Sequence, residues 1–182
     1  MTDNRQTVIG NDNIQVHGDG NLVNPTVILQ RPTLTHSFIH ELLDFVYSLP
    51  PSQDDSYSLT RPVQIREKLR FNNVRRYMAI IDNHVDDYVR VDEVMKDYPN
   101  SEDIVKKLRD MFLGVASFDD EGTPCVGDGD AQLERIKDNL YKTIVNDSNF
   151  NADNYPAEKI EQFCIALIAY GVSKCKILKS PV

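Results

Sequence analysis

One stretch near the end of the sequence limits the fold more than any other. Residues 163–172 (FCIALIAYGV) carry no charge, and Pro156 precedes them where a proline favours the start of a helix. A helix that is apolar nearly all round lies in a protein core or in a membrane. These ten residues are far fewer than the roughly 20 that span a bilayer. We therefore predict a final helix from Ala157 to about Lys176 at the centre of the core.

Apolar residues recur at helical spacing in other parts of the chain from Thr33 onward. The first of these stripes follows a helix cap at Thr35 or Ser37. The stripes are Phe38, Leu42, Phe45 and Leu49; Ile65, Leu69, Val74, Met78, Ile81, Val85, Tyr88 and Met95; Ile104, Leu108, Met111, Phe112 and Val115; and Leu133, Ile136, Leu140, Ile144 and Val145. The second stripe fits one long helix or two helices joined near Asn72. The pattern predicts a helical domain of five or six helices over residues 33–178.

The first thirty residues follow a different pattern. Two short units, VIGNDNI at 8–14 and VHGDGNL at 16–22, repeat at an offset of eight residues. Each unit places apolar residues on both sides of a turn built from glycine and Asn or Asp, which suits a strand that bends. We predict a small β-repeat element over residues 5–31. The fold class is then α+β and mostly α.

This β-repeat element is also the predicted site of self-association. Two units are too few to bury a core, because stacked repeats normally need about three copies. Copies from several chains would supply the missing layers and make the protein a homo-oligomer. A plain β-hairpin or a polar tail is the alternative. The predicted oligomerisation residues are Val8, Gly10, Asn13, Ile14, Val16, Gly18, Asn21 and Leu22.

Charge and cysteine content exclude several classes of protein. Twenty Lys and Arg against 28 Asp and Glu give a net charge of −8, which argues against general coating of nucleic acid or of an anionic membrane. The first ten residues have no charged leader followed by an apolar core, so we expect a cytoplasmic protein. The three cysteines, Cys125, Cys164 and Cys175, form no CxxC pair and indicate neither a disulfide framework nor a zinc ribbon.

Known catalytic motifs are missing from the sequence. It has no GxxxxGK[ST], no GxGxxG after a strand, no GxSxG and no HExxH. We therefore predict no catalytic residue and no cofactor. His36 and His40 are four residues apart and would share one face of the first helix, a spacing at which two imidazoles can hold a metal ion. A surface or capping role is the favoured interpretation, since no third ligand is placed, and no metal site is assigned.

A second group of candidate ligands lies in residues 118–130 (FDDEGTPCVGDGD). Asp119, Asp120, Asp128 and Asp130 could bind a hard cation such as calcium. Their spacing does not match the EF-hand pattern, and we interpret the segment as an exposed, solvated loop. Cys164 falls inside the apolar run, where a cysteine behaves as a small buried hydrophobe.

The strongest electrostatic feature is a basic cluster between residues 61 and 76, where six basic residues oppose one acid, Glu67. Such a surface suits an acidic protein partner or nucleic-acid phosphates, or it neutralises the protein's own acidic loops. Phe71 is expected to pack inward, which leaves no aromatic platform for single strands. The predicted partner-binding residues are Arg61, Arg66, Lys68, Arg70, Arg75 and Arg76.

All members of the basic cluster except Arg61 lie in the segment QIREKLRFNNVRRY at 64–77, which is followed by IIDNHVDDYVRVDEV at 80–94. This segment resembles the C-terminal module of bacterial ABC-three-component conflict systems. In that module a helix with an acidic-Lys pair, here Glu67-Lys68, runs into Phe71-Asn72 and then into a helix that contains tyrosine. The N-terminal repeat resembles the VxGxxN elements of bacterial defence proteins, and the two likenesses together cover residues 8–112.

The resemblance implies an accessory component that acts beside an SMC-like ABC ATPase, with any effector enzyme on another chain or in a fused domain. No recognisable effector lies within these 182 residues. We therefore expect a non-catalytic adaptor or assembly component of an antiphage defence complex, whose partners are other chains of the same system. Two alternatives stay open: a small metal-dependent nuclease that uses His36, His40 and nearby carboxylates, and a nucleic-acid-binding regulator. Nucleic acid is the less favoured partner, and no membrane is expected.

Overall fold

The computed structural model describes residues 36–49 and 60–181. These ranges are mostly helical, which confirms the coarse prediction. The β-repeat element predicted for residues 5–31, with all its oligomerisation residues, lies outside the described residues. The described elements are α1 (Phe38–Ser48), α2 (Thr60–Phe71), α3 (Arg76–Asn83), α4 (Val85–Asp97), α5 (Ser101–Leu113), β1 (Ser117–Phe118), β2 (Pro124–Cys125), α6 (Gly129–Val145) and α7 (Ala157–Ser173).

Helix α7 is the centre of the core, as predicted. Every residue from Phe163 to Val172 is buried, and α7 packs against α2, α3, α4, α5 and α6. A helix with apolar residues all round needs neighbours on all sides, and these five helices supply them. Within the described ranges, no helix has the length and apolar content needed to cross a membrane.

The predicted inner faces of α5 and α6 are largely confirmed. Each helix buries residues at i, i+3 or i+4 and i+7, the spacing of an amphipathic helix against a core. Val115 and Val145, at the ends of the two predicted stripes, are only half-buried. The buried members are Ile104, Leu108, Met111 and Phe112 on α5, and Leu133, Ile136, Leu140 and Ile144 on α6.

Helix α1 turns a different face inward from the one predicted. Ser37 caps this helix, and its hydroxyl accepts a hydrogen bond from the amide of Ile39 at 3.2 Å. The helix is apolar on two stripes, so spacing alone does not decide which stripe is buried. The core takes Ile39, Leu42, Leu43 and Val46. The other predicted positions stay partly exposed: Phe38, Phe45 and Leu49 by 40%, 46% and 40%.

The second predicted stripe folds into three helices, so the described count is seven rather than five or six. Asn73 ends α2 with φ 53°, a left-handed conformation that Asn tolerates. The amides of Asn73 and Val74 bond the carbonyls of Arg70 and Leu69 at 3.0 and 2.9 Å, which is a Schellman closure. A second break follows at His84, whose non-helical backbone separates α3 from α4.

The acidic segment is an ordered hairpin and not a plain loop. Strand β1 pairs antiparallel with β2, with Ser117 opposite Cys125. One carboxylate oxygen of Asp119 accepts the amides of Glu121 and Thr123 at 3.0 and 2.8 Å and closes the turn. Self-bonding of this kind is typical of Asp in turns. Residues 117–123 are exposed, as predicted, and Asp119 has the additional structural role of closing the turn.

Candidate protein-interaction face

The residues that carry the family resemblance divide between two sides of α2. Lys68 and Asn72, one helical turn apart, point inward and are only 4% and 8% exposed. Glu67 and Phe71, also one turn apart, point outward. Residues at i and i+4 share a helix face. The motif therefore combines an inward pair with an outward pair.

The inward pair attaches the end of α7 and the chain after it to α2. The ammonium of Lys68 donates to the carbonyl of Val172 at 3.1 Å. The Asn72 amide nitrogen donates to the carbonyls of Lys68 and Lys179, both at 2.7 Å. Its amide oxygen accepts the backbone N–H of Lys179 at 3.0 Å. Asn72 thus pairs with Lys179 much as a neighbouring strand would, and its role is structural.

The assignment of Lys68 to a partner-binding surface is wrong. Burial lowers the pKa of Lys68 below its usual range, because desolvation disfavours the charged form. The charge interaction with the nearby Cys175 acts on this pKa in the opposite direction. A side chain this buried offers no charge to an external partner. Sequence spacing alone did not reveal that Lys68 faces α7.

The thiol of Cys175 lies where α7 ends. The amides of Cys175 and Lys176 bond the carbonyls of Val172 and Gly171 at 3.1 and 3.0 Å, so α7 closes in the same Schellman pattern as α2. Cys175 has φ 57°. A hydrogen bond from Ser180, followed by the effect of Lys68, lowers the pKa of this thiol. Burial raises the pKa of Cys164 to about 12, which agrees with its predicted role as a buried hydrophobe.

Two arginines of the basic cluster are neutralised within the protein. Arg66 Nε donates to Asp82 Oδ1 at 2.7 Å and joins α2 to α3. Arg76 Nη2 donates to Glu134 Oε2 at 2.8 Å and joins α3 to α6. For these two residues the structure favours internal neutralisation, one of the interpretations that the sequence left open.

The remaining members of the basic cluster differ in their surroundings. Arg75 Nε donates to the Asn73 side chain at 3.2 Å. Arg70 is exposed, and within the described part of the chain no carboxylate pairs with it. The side chain of Arg61 lies outside the described residues. Arg70 and Arg75 are therefore the members of the cluster whose charges have no carboxylate partner among the described residues.

The backbone at the start of α3 is capped by a carboxylate from another helix. Asp130 Oδ2 accepts the amides of Arg75 and Arg76 at 3.2 and 3.1 Å, and its Oδ1 accepts that of Tyr77 at 2.9 Å. The first amides of a helix have no partner inside it, so one side chain of α6 completes this end of α3. Asp130 is a helix cap and not a solvated loop residue.

The neighbours of Asp130 explain how α6 approaches so closely. Asp128 caps α6 itself, with its Oδ1 accepting the amide of Ala131 at 3.0 Å. Gly129 sits between the two caps, where a Cβ would lie 2.5 Å from Val74 Cγ2. Only glycine leaves room for Val74 there. The Asp-Gly-Asp run could have indicated the cap at Asp128, but nothing in it identifies α3 as the second partner.

An ionic network continues the joint between α3 and α6 one turn further along α6. The Tyr77 hydroxyl donates to Glu134 Oε2 at 3.1 Å. Burial is the main cause that raises the pKa of Tyr77, and the Glu134 carboxylate adds to it. The salt bridge to Lys137 lowers the pKa of Glu134 and raises that of Lys137. Tyr77 thus stays a neutral hydrogen-bond donor at neutral pH.

The outward side of α2 is the most distinctive exposed surface near the motif. Val63 and Phe71 lie eight residues apart on it and are 49% and 51% exposed. Phe71 does not pack inward as predicted, because Lys68, Leu69 and Asn72 occupy the inward side at that level. We call the surface formed by Val63, Arg66, Glu67, Arg70 and Phe71 the α2 outer face.

The two histidines that the nuclease alternative would use as metal ligands do not form a pair. His36 precedes the cap of α1, so it does not share a helix face with His40, and its Nε2 lies 3.3 Å from Glu41 Oε2. His40 is 3% exposed and packs edge-on to Phe150, with ring centroids 5.9 Å apart. Within residues 36–49 and 60–181, no group of three His, Cys, Asp or Glu side chains is placed to hold a metal ion.

The five predicted partner-binding residues whose side chains are described therefore separate into three places. Arg66 and Arg70 lie on the α2 outer face, Lys68 lies in the core, and Arg75 and Arg76 lie where α3 meets α6. No protein-family model, no curated protein and no solved structure matches this chain. A functional assignment consequently depends on the geometry of its own residues and on the resemblance described above.

Proposed function

We propose that this protein is a non-catalytic adaptor or assembly component of a bacterial defence complex. It acts through protein–protein contacts beside an SMC-like ABC ATPase, and the α2 outer face is its contact surface. The observation that carries the proposal is the division of the two pairs Glu67-Lys68 and Phe71-Asn72 between the inward and outward sides of α2. Lys68 and Asn72 have structural partners inside the protein, whereas Phe71 has its side chain half in solvent.

The composition of the α2 outer face suits a protein partner better than nucleic acid. Val63 and Phe71 offer apolar area on either side of Glu67 and Arg70. Exposed aromatic and arginine side chains are enriched where proteins bind proteins. Glu67 would repel phosphates, and Arg66 already pairs with Asp82. A partner with apolar side chains and a carboxylate for Arg70 would fit this face.

A double substitution tests the face directly. We expect V63D/F71D to leave the fold intact, since each position is about half exposed and exposed changes usually alter stability by about 0.5 kcal/mol or less. The variant should recover about tenfold less ATPase subunit from the native host, because two apolar anchors are lost. Tagged full-length protein, affinity capture and quantitative mass spectrometry make the measurement.

Phe118 provides a matched control. It is 54% exposed but lies on β1, away from the α2 outer face, so F118D should recover the ATPase as the parent protein does. If the parent protein and V63D/F71D recover equal amounts of the ATPase subunit, the α2 outer face is not the contact surface for that subunit. Capture without any ABC ATPase would refute the defence-complex assignment, whichever residues matter.

A further inference from the structure

A groove on the surface of the helical domain has no role in the proposed function. Its volume is about 490 Å³, within the range of roughly 300–1,000 Å³ of small-molecule sites. One wall is a single face of α5, from Ser101 to Asp110, and the other is formed by Tyr170 and Lys176. Val105, which is half-buried, provides apolar surface inside it, and the Tyr170 ring is buried with the ammonium of Lys174 5.0 Å from its centre.

An arginine held in place by the protein lies in this groove. Arg109 Nη1 donates to the carbonyl of Lys176 at 3.2 Å, and its guanidinium carbon lies 5.5 Å from the centre of the Phe112 ring. A guanidinium has five N–H donors, and one is used by this carbonyl. The others have no carboxylate partner among the described residues. A preorganised guanidinium of this kind is well suited to a phosphate or carboxylate.

Two lysines add to the positive charge around Arg109. Lys176 is exposed and lies three residues after the end of α7 at Ser173. Lys106, one turn before Arg109 on α5, is exposed and has Asp103 Oδ1 at 3.4 Å. A surface ion pair of this kind is weak, so the ammonium is free to change partner when a stronger anion binds.

The groove also carries two acceptors. The carboxylates of Glu102 and Asp110 line it on α5, the first near the start of the helix and the second directly after Arg109. Inorganic phosphate alone would meet both attraction and repulsion. A ligand that joins an anionic group to a ring with N–H donors would suit the three cations and one of the two carboxylates, Glu102, because the ring donors can bond a carboxylate.

We propose that this groove binds a nucleoside monophosphate. The phosphate bonds Arg109, Lys106 and Lys176. The base lies on the apolar surface of the groove, and an amino or imino N–H of the base donates to Glu102. Glu102 and Arg109 are seven residues apart on α5, which is about 10 Å along a helix axis. That separation places the two polar ends of the ligand at opposite ends of the groove.

The test is calorimetric titration of the full-length protein with AMP, GMP, CMP and UMP, with adenosine and inorganic phosphate as separate probes. At least one monophosphate should bind, and adenosine and phosphate should each bind about tenfold more weakly or worse. In K106E/K176E the affinity for the monophosphate should fall at least about tenfold. Both lysines are exposed, so the melting temperature should stay within a few degrees of the parent value.

The matched control is K96E/K142E, which makes the same charge change at two exposed lysines on α4 and α6 and should bind as the parent does. No binding of any monophosphate at millimolar concentration would overturn the proposal. Equal loss in both double variants would also overturn it, because the attraction would then be general. If inorganic phosphate binds as tightly as the monophosphates, the base contributes nothing to the affinity. The position assigned to the base in the groove would then be refuted.

Discussion

Replacing Asp130 with alanine is expected to lower the free energy of unfolding by about 2 kcal/mol, at the upper end of the effect of losing a helix cap. Three amides at the start of α3, those of Arg75, Arg76 and Tyr77, depend on this carboxylate. The substitution also removes a negative charge from the positive end of the α3 dipole. For a chain of 182 residues the melting temperature should fall by about 4–8 °C, as thermal unfolding followed by circular dichroism would measure.

Two further variants separate the cap from a general charge effect. D130N keeps one acceptor oxygen, so its loss of stability should lie between the parent and D130A. D138A removes an exposed carboxylate from the middle of α6 and should change stability by about 0.5 kcal/mol or less. If D130A and D138A have the same melting temperature, the cap contributes nothing to stability. Our account of the joint between α3 and α6 would then be wrong.

Replacing Asn72 with alanine is expected to destabilise the protein by about 2–3 kcal/mol, since three hydrogen bonds of a buried amide disappear and each contributes about 1 kcal/mol. The backbone N–H and carbonyl of Lys179 lose their partner on α2. Ile177 and Leu178, which are 0% and 3% exposed, then keep their apolar contacts and the hydrogen bond from the Ile177 amide to the Gly171 carbonyl at 3.3 Å. Chemical denaturation gives the total loss.

Hydrogen exchange locates the effect of N72A. The amide of Lys179 should exchange much faster in the variant, because its acceptor is the Asn72 side chain. Asn139 is exposed on α6, so N139A should leave both stability and the exchange of Lys179 near parent values. Unchanged exchange at Lys179 in N72A would show that the segment after α7 is held by its apolar residues and not by Asn72.

The features that sequence reasoning predicted are those set by periodicity. The buried run from Phe163 to Val172 identified the central helix, because no solvent-exposed helix can be apolar on every side. The inner face of α5 followed from regular spacing, as did that of α6. In each of these helices only one stripe was apolar. The apolar pattern of α5 and of α6 therefore allowed only one face of each helix to be the buried face.

The failures come from residues whose partners are distant in sequence. Lys68 was assigned to the surface, yet it bonds Val172, 104 residues away. Asp130 was assigned to a loop, yet it caps a helix that begins more than fifty residues earlier. On α1 two apolar stripes competed, and packing against α4, α5 and α6 decided between them. A single sequence does not encode such choices locally.

The central position of α7 has a consequence for biosynthesis. It is the last of the described helices to leave the ribosome, and five earlier helices pack against it. Until α7 emerges, the apolar faces of these five helices have no partner to pack against and stay exposed to solvent. Exposed apolar surface of this kind favours aggregation. We therefore expect the described helices to complete their fold only after translation has passed Leu178, whose side chain is also buried. Nascent chains stalled before residue 157 should remain protease-sensitive.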